Sequence, residues 1–358
     1  MPITARNAEQ PAADGMVRSG DPRATVWNVI RGPWRFAAIH ALAVLGCAGH
    51  LGAGPLTIAD LAARCDADPA ALERLLRCAA SIGLIAEPAP GCYSLTPAGQ
   101  TLVPNAPGSM HSAILATGDA AAWQAMTGLA TTARTGQPAF TAQQGRGFYD
   151  YLAADPARAR IFGDFMTSRS AGIAATIARL DFTGSDFVAD IGGGHGAILA
   201  TILTAWPHLR GILVDRAHVL DSAREHLAAA GLMGRVELAA GDYLSEPLPA
   251  ADTYLLASIL HNHDDREARA ILGNVLAAAA RKPRMLLADI LLPDHPAPHI
   301  GCDLDVRMMA LGTGRERTRT AYLTLLHDAG LTCTQVIGTP YGLSIIDAEP
   351  AERAPGCG

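Results

Sequence analysis

A short apolar run, Phe187-Val188-Ala189, ends in Asp190 and opens at once into Ile191-Gly192-Gly193-Gly194-His195-Gly196, with an apolar stretch of helical spacing behind it. A strand that ends in an acid and turns through glycines into a helix constrains the fold strongly. The glycines let the backbone turn sharply and approach a ligand closely. The helix start then offers free N–H groups to an anionic group of that ligand. This pattern predicts a nucleoside-binding crevice in an open α/β sheet. Gly192, Gly194 and Ala197 also satisfy the looser dinucleotide fingerprint G-x-G-x-x-A. The next candidate strand, Gly211-Ile212-Leu213-Val214-Asp215, again ends in an acid that could take two ribose hydroxyls. Both NAD and S-adenosylmethionine carry a ribose, so these segments alone leave the nucleoside open.

The length of 358 residues allows two domains with ample core. A net charge of −6 gives no reason to expect a polyanionic partner. The seven cysteines are scattered without C-x-x-C spacing, which predicts reduced thiols rather than a disulfide frame or a zinc knuckle. Residues 1–21 are polar and lack the apolar core of a secretion signal, so they are expected to be a frayed tail of a cytoplasmic protein. The apolar segment Ala37 to Leu51 is too short to span a bilayer and is expected to be one helix serving dimerisation.

Residues 22–105 form the first expected domain. Thr57 is placed to cap one helix and Asp68-Pro69 to start another over Ala70 to Gly83, with Leu72, Leu75, Leu76, Ala79 and Ile82 on one face. A hairpin follows, from Leu84-Ile85 through Pro88–Gly91 to Tyr93-Ser94-Leu95, making a winged helix. A winged helix can bind DNA, but the second helix offers only Arg74 and Arg77 to phosphate, beside Glu73. A DNA-binding regulator is therefore the reading outside enzymology. Residues 106–180 are expected to be a helical region lining the substrate. Residues 181–350 alternate strand and helix, with candidate strands ending near Ile191, Val214, Ala240, Ala257, Ile290, Ile337 and Ile346. The last two flank Gly338–Gly342 and predict an antiparallel pair at the sheet edge. The fold class expected is α/β, a doubly wound and mostly parallel seven-stranded sheet behind a mainly helical winged-helix domain.

Several strand ends carry chemistry. Gly241-Asp242-Tyr243 could hydrogen-bond an adenine amine and stack on its ring. His261 follows the strand Tyr254–Ala257 within Leu260-His261-Asn262-His263-Asp264-Asp265, facing the crevice. An imidazole there suits proton removal from a phenol or enol. Asp289 and Glu316 occupy comparable positions, and either could accept from Nδ1–H of His261.

Together these segments resemble the small-molecule O-methyltransferases of plant and bacterial secondary metabolism, the caffeate and hydroxyneurosporene type. That family carries a D-x-G-x-G-x-G motif, an L-H-D-W-x-D segment and a G-x-E-R-T segment, matched here by Asp190–Gly196, Leu260–Asp265 and Gly314–Thr318. Leu95-Thr96-Pro97-Ala98-Gly99 matches its L-T-x-x-G segment, and Phe162, Met166 and Ser170 repeat its F-x3-M-x3-S spacing. The resemblance implies a cytoplasmic homodimer that uses S-adenosylmethionine to methylate a hydroxyl of an aromatic or polyketide-like metabolite. It implies Ser170, Asp190, Gly192, Gly194, Asp215, Gly241, Asp242, Tyr243 and Ser258 as cofactor residues. His261 is the implied base, flanked by Asp289 and Glu316, and Phe162, Met166, Asn262, Met308 and Met309 are implied substrate contacts.

Two departures reshape the site. The family's Asp-Trp after the histidine is Asn262-His263, and its frequent lysine four residues earlier is Ala257. His261 and His263, with His295 or His299, could instead hold a divalent metal that assists methylation of carbon beside a ketone. A non-methylating member that binds the same cofactor is a further alternative.

Overall fold

The computed structural model describes residues 21–339 and 342–351. Residues 1–20 of the expected tail, Cys357 and the Pro340-Tyr341 part of the C-terminal turn lie outside the described residues. The chain divides into two compact units, the first up to Leu115 and the second from Ala116. Among the described residues no helix is long and apolar enough to cross a membrane.

In the N-terminal unit, helix Arg23–Val44 stops where Gly46 takes φ +69°, and a separate short helix, Cys47–Leu51, follows. The expected single helix over Ala37 to Leu51 is therefore broken, because glycine enters the left-handed region freely and ends the helical run there. The long helix leaves Val26, Val29, Ile30 and Trp34 exposed on one side, at 60, 71, 43 and 63 %. Thr57 caps Ile58–Arg64 by accepting from Asp60 N–H, and Asp68 caps Pro69–Ser81 by accepting from Ala71 N–H. Leu72, Leu76 and Ala79 are buried on one face of that second helix, as its spacing predicts. Strands β1 (Leu56–Thr57), β2 (Ile85–Ala89) and β3 (Cys92–Leu95) form an antiparallel wing in the order β1-β3-β2. Arg77 on the second helix turns to Glu73 at 2.8 Å.

The C-terminal unit opens with short helices and then Pro156–Ile177, a helix of 22 residues. Proline at its first position and Asp155 accepting from Ala157 and Arg158 N–H set its start. The sheet follows: β4 (Phe187–Ile191), β5 (Arg210–Asp215), β6 (Val236–Ala240), β7 (Thr253–Ala257), β8 (Arg284–Leu292), β9 (Arg317–Thr318), β10 (Leu331–Gly338) and β11 (Leu343–Pro350). Its order is β10-β11-β8-β7-β4-β5-β6, with β9 beside the end of β8. Strands β4 to β8 run parallel, while β10 and β11 add antiparallel at the edge as expected. Alternate residues enter the two faces. Val188, Leu213, Leu255 and Leu286 pack in one core, and Ala189, Ile212, Val214, Tyr254 and Leu256 in the other. Strand order reverses between β4 and β7, so a crevice opens beyond their carboxyl ends.

Candidate active site

The glycine loop leaves β4 with Gly192 at φ +67°, Gly194 at +56° and Gly196 at +77°. A Cβ on Gly192 would lie 2.4 Å from Ile259 Cδ1, so the loop can close on the neighbouring strand end only through glycine. Directly opposite, Ser258 adopts φ +56°, unusual for a residue with a side chain. Its strained turn is held by its N–H donating to Ala288 O at 2.8 Å and by Asn262 Nδ2 donating to its carbonyl at 2.9 Å. Strain of this kind concentrates at binding sites.

Acids line the same edge. Asp190 is 2 % exposed, and its Oδ2 has no hydrogen-bond partner. Burial, then the charge of Asp215, pushes its carboxyl up to about 7. Asp215 accepts from Gly194 N–H at 2.8 Å and Arg216 N–H at 2.7 Å, and burial raises it above the ordinary range despite these bonds. Gly241 N–H donates to the Asp215 carbonyl at 3.0 Å, tying the ends of β5 and β6 together. The carboxylate of Asp242 is taken up locally, accepting from Leu244 N–H and Ser245 Oγ, both at 3.0 Å. Tyr243 presents its hydroxyl to His263 Nε2 at 3.2 Å, with the rings edge to face at 5.7 Å. Burial raises this phenol well above its usual range.

His261 is 6 % exposed on a turn after β7, and its Nδ1 lies 2.8 Å from Glu316 Oε1. A carboxylate only accepts, so Nδ1 carries the proton and Nε2 keeps a free lone pair. Both Asp289 and Glu316 were possible partners on sequence grounds, and Glu316 takes the bond. Asp289, 1 % exposed, instead accepts from the Tyr322 hydroxyl at 2.8 Å. Burial pushes Asp289 up to about 6, while a proton on the neighbouring His261 draws it down. Its Oδ1 and Glu316 Oε2 are buried without partners, so both acids keep acceptor capacity beside the imidazole.

The Gly314–Thr318 segment also builds the backbone of this turn. Gly314 fits so tightly that a Cβ would lie 2.3 Å from His261 O. Arg315 N–H donates to that carbonyl at 2.8 Å. Arg317, 3 % exposed, donates to Leu260 O at 2.8 Å, His263 O at 2.9 Å and Asp265 Oδ1 at 2.8 Å. It thus clamps both sides of His261, a role that the motif spacing does not reveal.

The remaining candidates lie on two helices. Phe162 joins Phe148 and Tyr149 in edge-to-face contacts at 5.5 and 6.1 Å, and Met166 is half-buried one turn on. Ser170 Oγ donates to Met166 O at 2.7 Å, within its own helix. On Ile300–Leu311, Met308 is half-buried, but Met309 is 38 % exposed and does not share its surroundings. Asn262 directs its amide to Ser258 rather than outward. His263 has both nitrogens engaged, Nδ1 donating to Glu267 Oε2 at 3.2 Å and Nε2 accepting from Tyr243. Among the described residues no three His, Cys, Asp or Glu side chains gather as a metal would need, and neither His295 nor His299 joins His261 and His263 in such a group. His195, unremarked in the motif, packs on the long helix with Nδ1 3.3 Å from Thr167 Oγ1, against Gly163.

This open glycine turn, the unpartnered Asp190 oxygen and the row of acids fit a nucleoside that carries positive charge. A base-bearing site beside such a crevice on a doubly wound sheet defines a class I S-adenosylmethionine-dependent methyltransferase. Residues 126–332 match the O-methyltransferase domain family, and residues 27–105 match the O-methyltransferase dimerisation domain. The phenazine O-methyltransferase of Lysobacter antibioticus is 33 % identical over 90 % of this chain and 95 % of its own length. The solved mitomycin 7-O-methyltransferase superposes with a TM-score of 0.86 at 30 % identity, covering 92 % of this chain and 98 % of that one. An O-methyltransferase from neocarzinostatin biosynthesis, solved with S-adenosylmethionine and 2-hydroxy-5-methyl naphthoic acid, gives 0.76 at 30 % identity, covering 88 and 95 %. The chain belongs to this O-methyltransferase family, and its cofactor is S-adenosylmethionine.

Proposed function

We propose that the enzyme methylates a hydroxyl of a flat aromatic or polyketide-like secondary metabolite, with His261 as the general base. The observation that carries this reading is the Nδ1–H bond from His261 to Glu316, which leaves Nε2 free to take a proton. The Glu316 carboxylate then stabilises the imidazolium that results, and Asp289, close enough to act on its charge, adds to this. S-adenosylmethionine, when bound, supplies an electrophilic methyl group on a sulfonium. Asp190, Asp215, Gly192, Gly194, Gly241 and Tyr243 are the residues we assign to hold it, with Asp242 shaping the turn and Ser170 and Ser258 lining it. Phe162, Met166 and Met308 supply apolar walls for the acceptor, consistent with the naphthoic acid ligand of the neocarzinostatin relative.

We further propose a cytoplasmic homodimer, formed through residues 22–105 with the exposed Val26, Val29, Ile30 and Trp34 stripe at its interface. The division into residues 106–180 lining the acceptor and 181–350 holding the cofactor completes the proposed organisation. The test is methyl transfer from labelled S-adenosylmethionine to a panel of mono- and bicyclic phenols, beside their O-methylated and non-hydroxylated analogues. Label should enter only phenols with a free hydroxyl, at oxygen. Label appearing on carbon or nitrogen would overturn the acceptor assignment.

A further inference from the structure

Among the arginines of the C-terminal unit that are not exposed, Arg158, Arg284 and Arg317 close on carboxylates, and Arg235 donates to four backbone carbonyls. Arg169 and Arg307 do neither. Arg307, on Ile300–Leu311, donates to Thr117 Oγ1 at 3.2 Å and faces no carboxylate among the described residues. Arg169, on Pro156–Ile177, has a buried Nη2 with no hydrogen-bond partner. The two are close enough to act on each other. Desolvation, then the charge of Arg169, holds the Arg307 guanidinium below its ordinary value.

Tyr149, edge to face with Phe162 at 6.1 Å, is near enough to Asp215, Arg216, Arg169 and Arg307 for their charges to act on its hydroxyl. Phe162, Met166 and Arg169 follow at spacings of four and three, which sets them on one face of their helix. The arginines therefore adjoin the aromatic wall formed by Phe162 and Tyr149.

A guanidinium does not deprotonate in a protein, so burial cannot neutralise these groups. Like charges drawn together and partly withdrawn from water without a counter-ion repel each other, a penalty that an arriving anion removes. Their planar forks match a carboxylate through paired N–H bonds. We propose that Arg169 and Arg307, with Tyr149, form a receptor for the carboxylate of a bound small molecule, borne either by the acceptor or by the methionine end of the cofactor. This inference rests on the methyltransferase reading for the two molecules it names.

Calorimetry on the full chain tests it with two matched pairs of probes. One pair is S-adenosylhomocysteine and its carboxamide. The other is 1-hydroxy-2-naphthoate and 1-hydroxy-2-naphthamide, added to protein with and without S-adenosylhomocysteine. The wild-type protein should bind the acid of at least one pair about tenfold or more tighter than the amide. That preference should fall to near unity in Arg307→Met and Arg169→Met, and partly return in Arg307→Lys. Preference in the first pair assigns the carboxylate to the cofactor, and preference in the second assigns it to the acceptor. Equal affinities for acid and amide in both pairs, failure to bind included, overturn the proposal even if the variants do not fold. An acid preference that survives both methionine substitutions overturns it equally. Binding of S-adenosylhomocysteine by wild type supports the methyltransferase reading whichever way the comparison falls, so the two failures are read separately.

Discussion

Replacing Asp190 with asparagine should change how stability depends on pH in a calculable way. Asp190 is 2 % exposed, its Oδ2 has no partner, and burial holds its carboxyl at about 7. In the unfolded chain an aspartate titrates near 3.9. Because the folded value is the higher one, the native state binds the proton more tightly. The associated stability is fully present below about pH 4 and is lost as pH rises through about 7. At roughly 1.4 kcal/mol per unit of pH, the loss across that window reaches about 4 kcal/mol, an upper figure because the loop relaxes around the charge. Asparagine keeps the shape and cannot ionise. It leaves its own amide short of partners, at about 1–3 kcal/mol, but that offset does not vary with pH. Urea unfolding of cofactor-free wild type and Asp190→Asn at pH 4.5, 6 and 8 isolates the residue together with its coupling to Asp215, since titrations not coupled to it cancel in the difference. The variant should gain at least about 2 kcal/mol relative to wild type between the lowest and highest pH. Parallel curves, within about 0.5 kcal/mol at every pH, would refute the argument. S-adenosylhomocysteine, whose ammonium favours the ionised acid, should bind wild type more tightly as pH rises through 7 and bind the variant with a flatter profile.

Asp215→Ala should weaken S-adenosylhomocysteine binding by about tenfold or more in calorimetry, and an unchanged dissociation constant would count against its assignment to the ribose. Gly163→Ala would set a Cβ 2.3 Å from His195 Nε2, so it should cost about 1–3 kcal/mol in thermal unfolding and loosen cofactor binding through the glycine loop. Arg317→Met strips hydrogen bonds from Leu260 O and His263 O and leaves Asp265 without this partner. Asp265 is part-exposed and keeps Arg315, so the cost in stability is mainly that of the orphaned carbonyls, about 1–3 kcal/mol, and a native unfolding midpoint would contradict the clamp.

What the sequence disclosed depended on how local each signal was. The strand, glycine turn and helix around Asp190 are encoded within a few residues and stand as their order predicts. His261 and Asp289 were legible because they sit near the carboxyl ends of the neighbouring parallel strands β7 and β8, which converge in any sheet of this kind. Glu316 lies just before β9 and was legible only through the G-x-E-R-T segment. Their pairing was not legible. Glu316 reaches His261 because Gly314 admits close contact with the turn, while Asp289 is claimed by Tyr322 from a helix further along. Asp242 looked like a ligand by position, but its carboxylate closes its own turn, a local competition common for aspartate. Gly46 broke a helix that the apolar run suggested, because a left-handed glycine outweighs periodicity. Arg169 and Arg307 carry no sequence signal: they are 138 positions apart on different helices, and no short motif joins them.

The most direct test of the central claim pairs binding with turnover in His261→Ala. Calorimetry with S-adenosylhomocysteine should give a dissociation constant within about twofold of wild type, because the imidazole belongs to the chemistry and not to the cofactor cradle. Methyl transfer to a phenol accepted by wild type should fall by roughly 10²–10⁴-fold, the usual worth of a positioned base. Turnover that persists at the wild-type rate in that variant, with binding intact, would contradict the account.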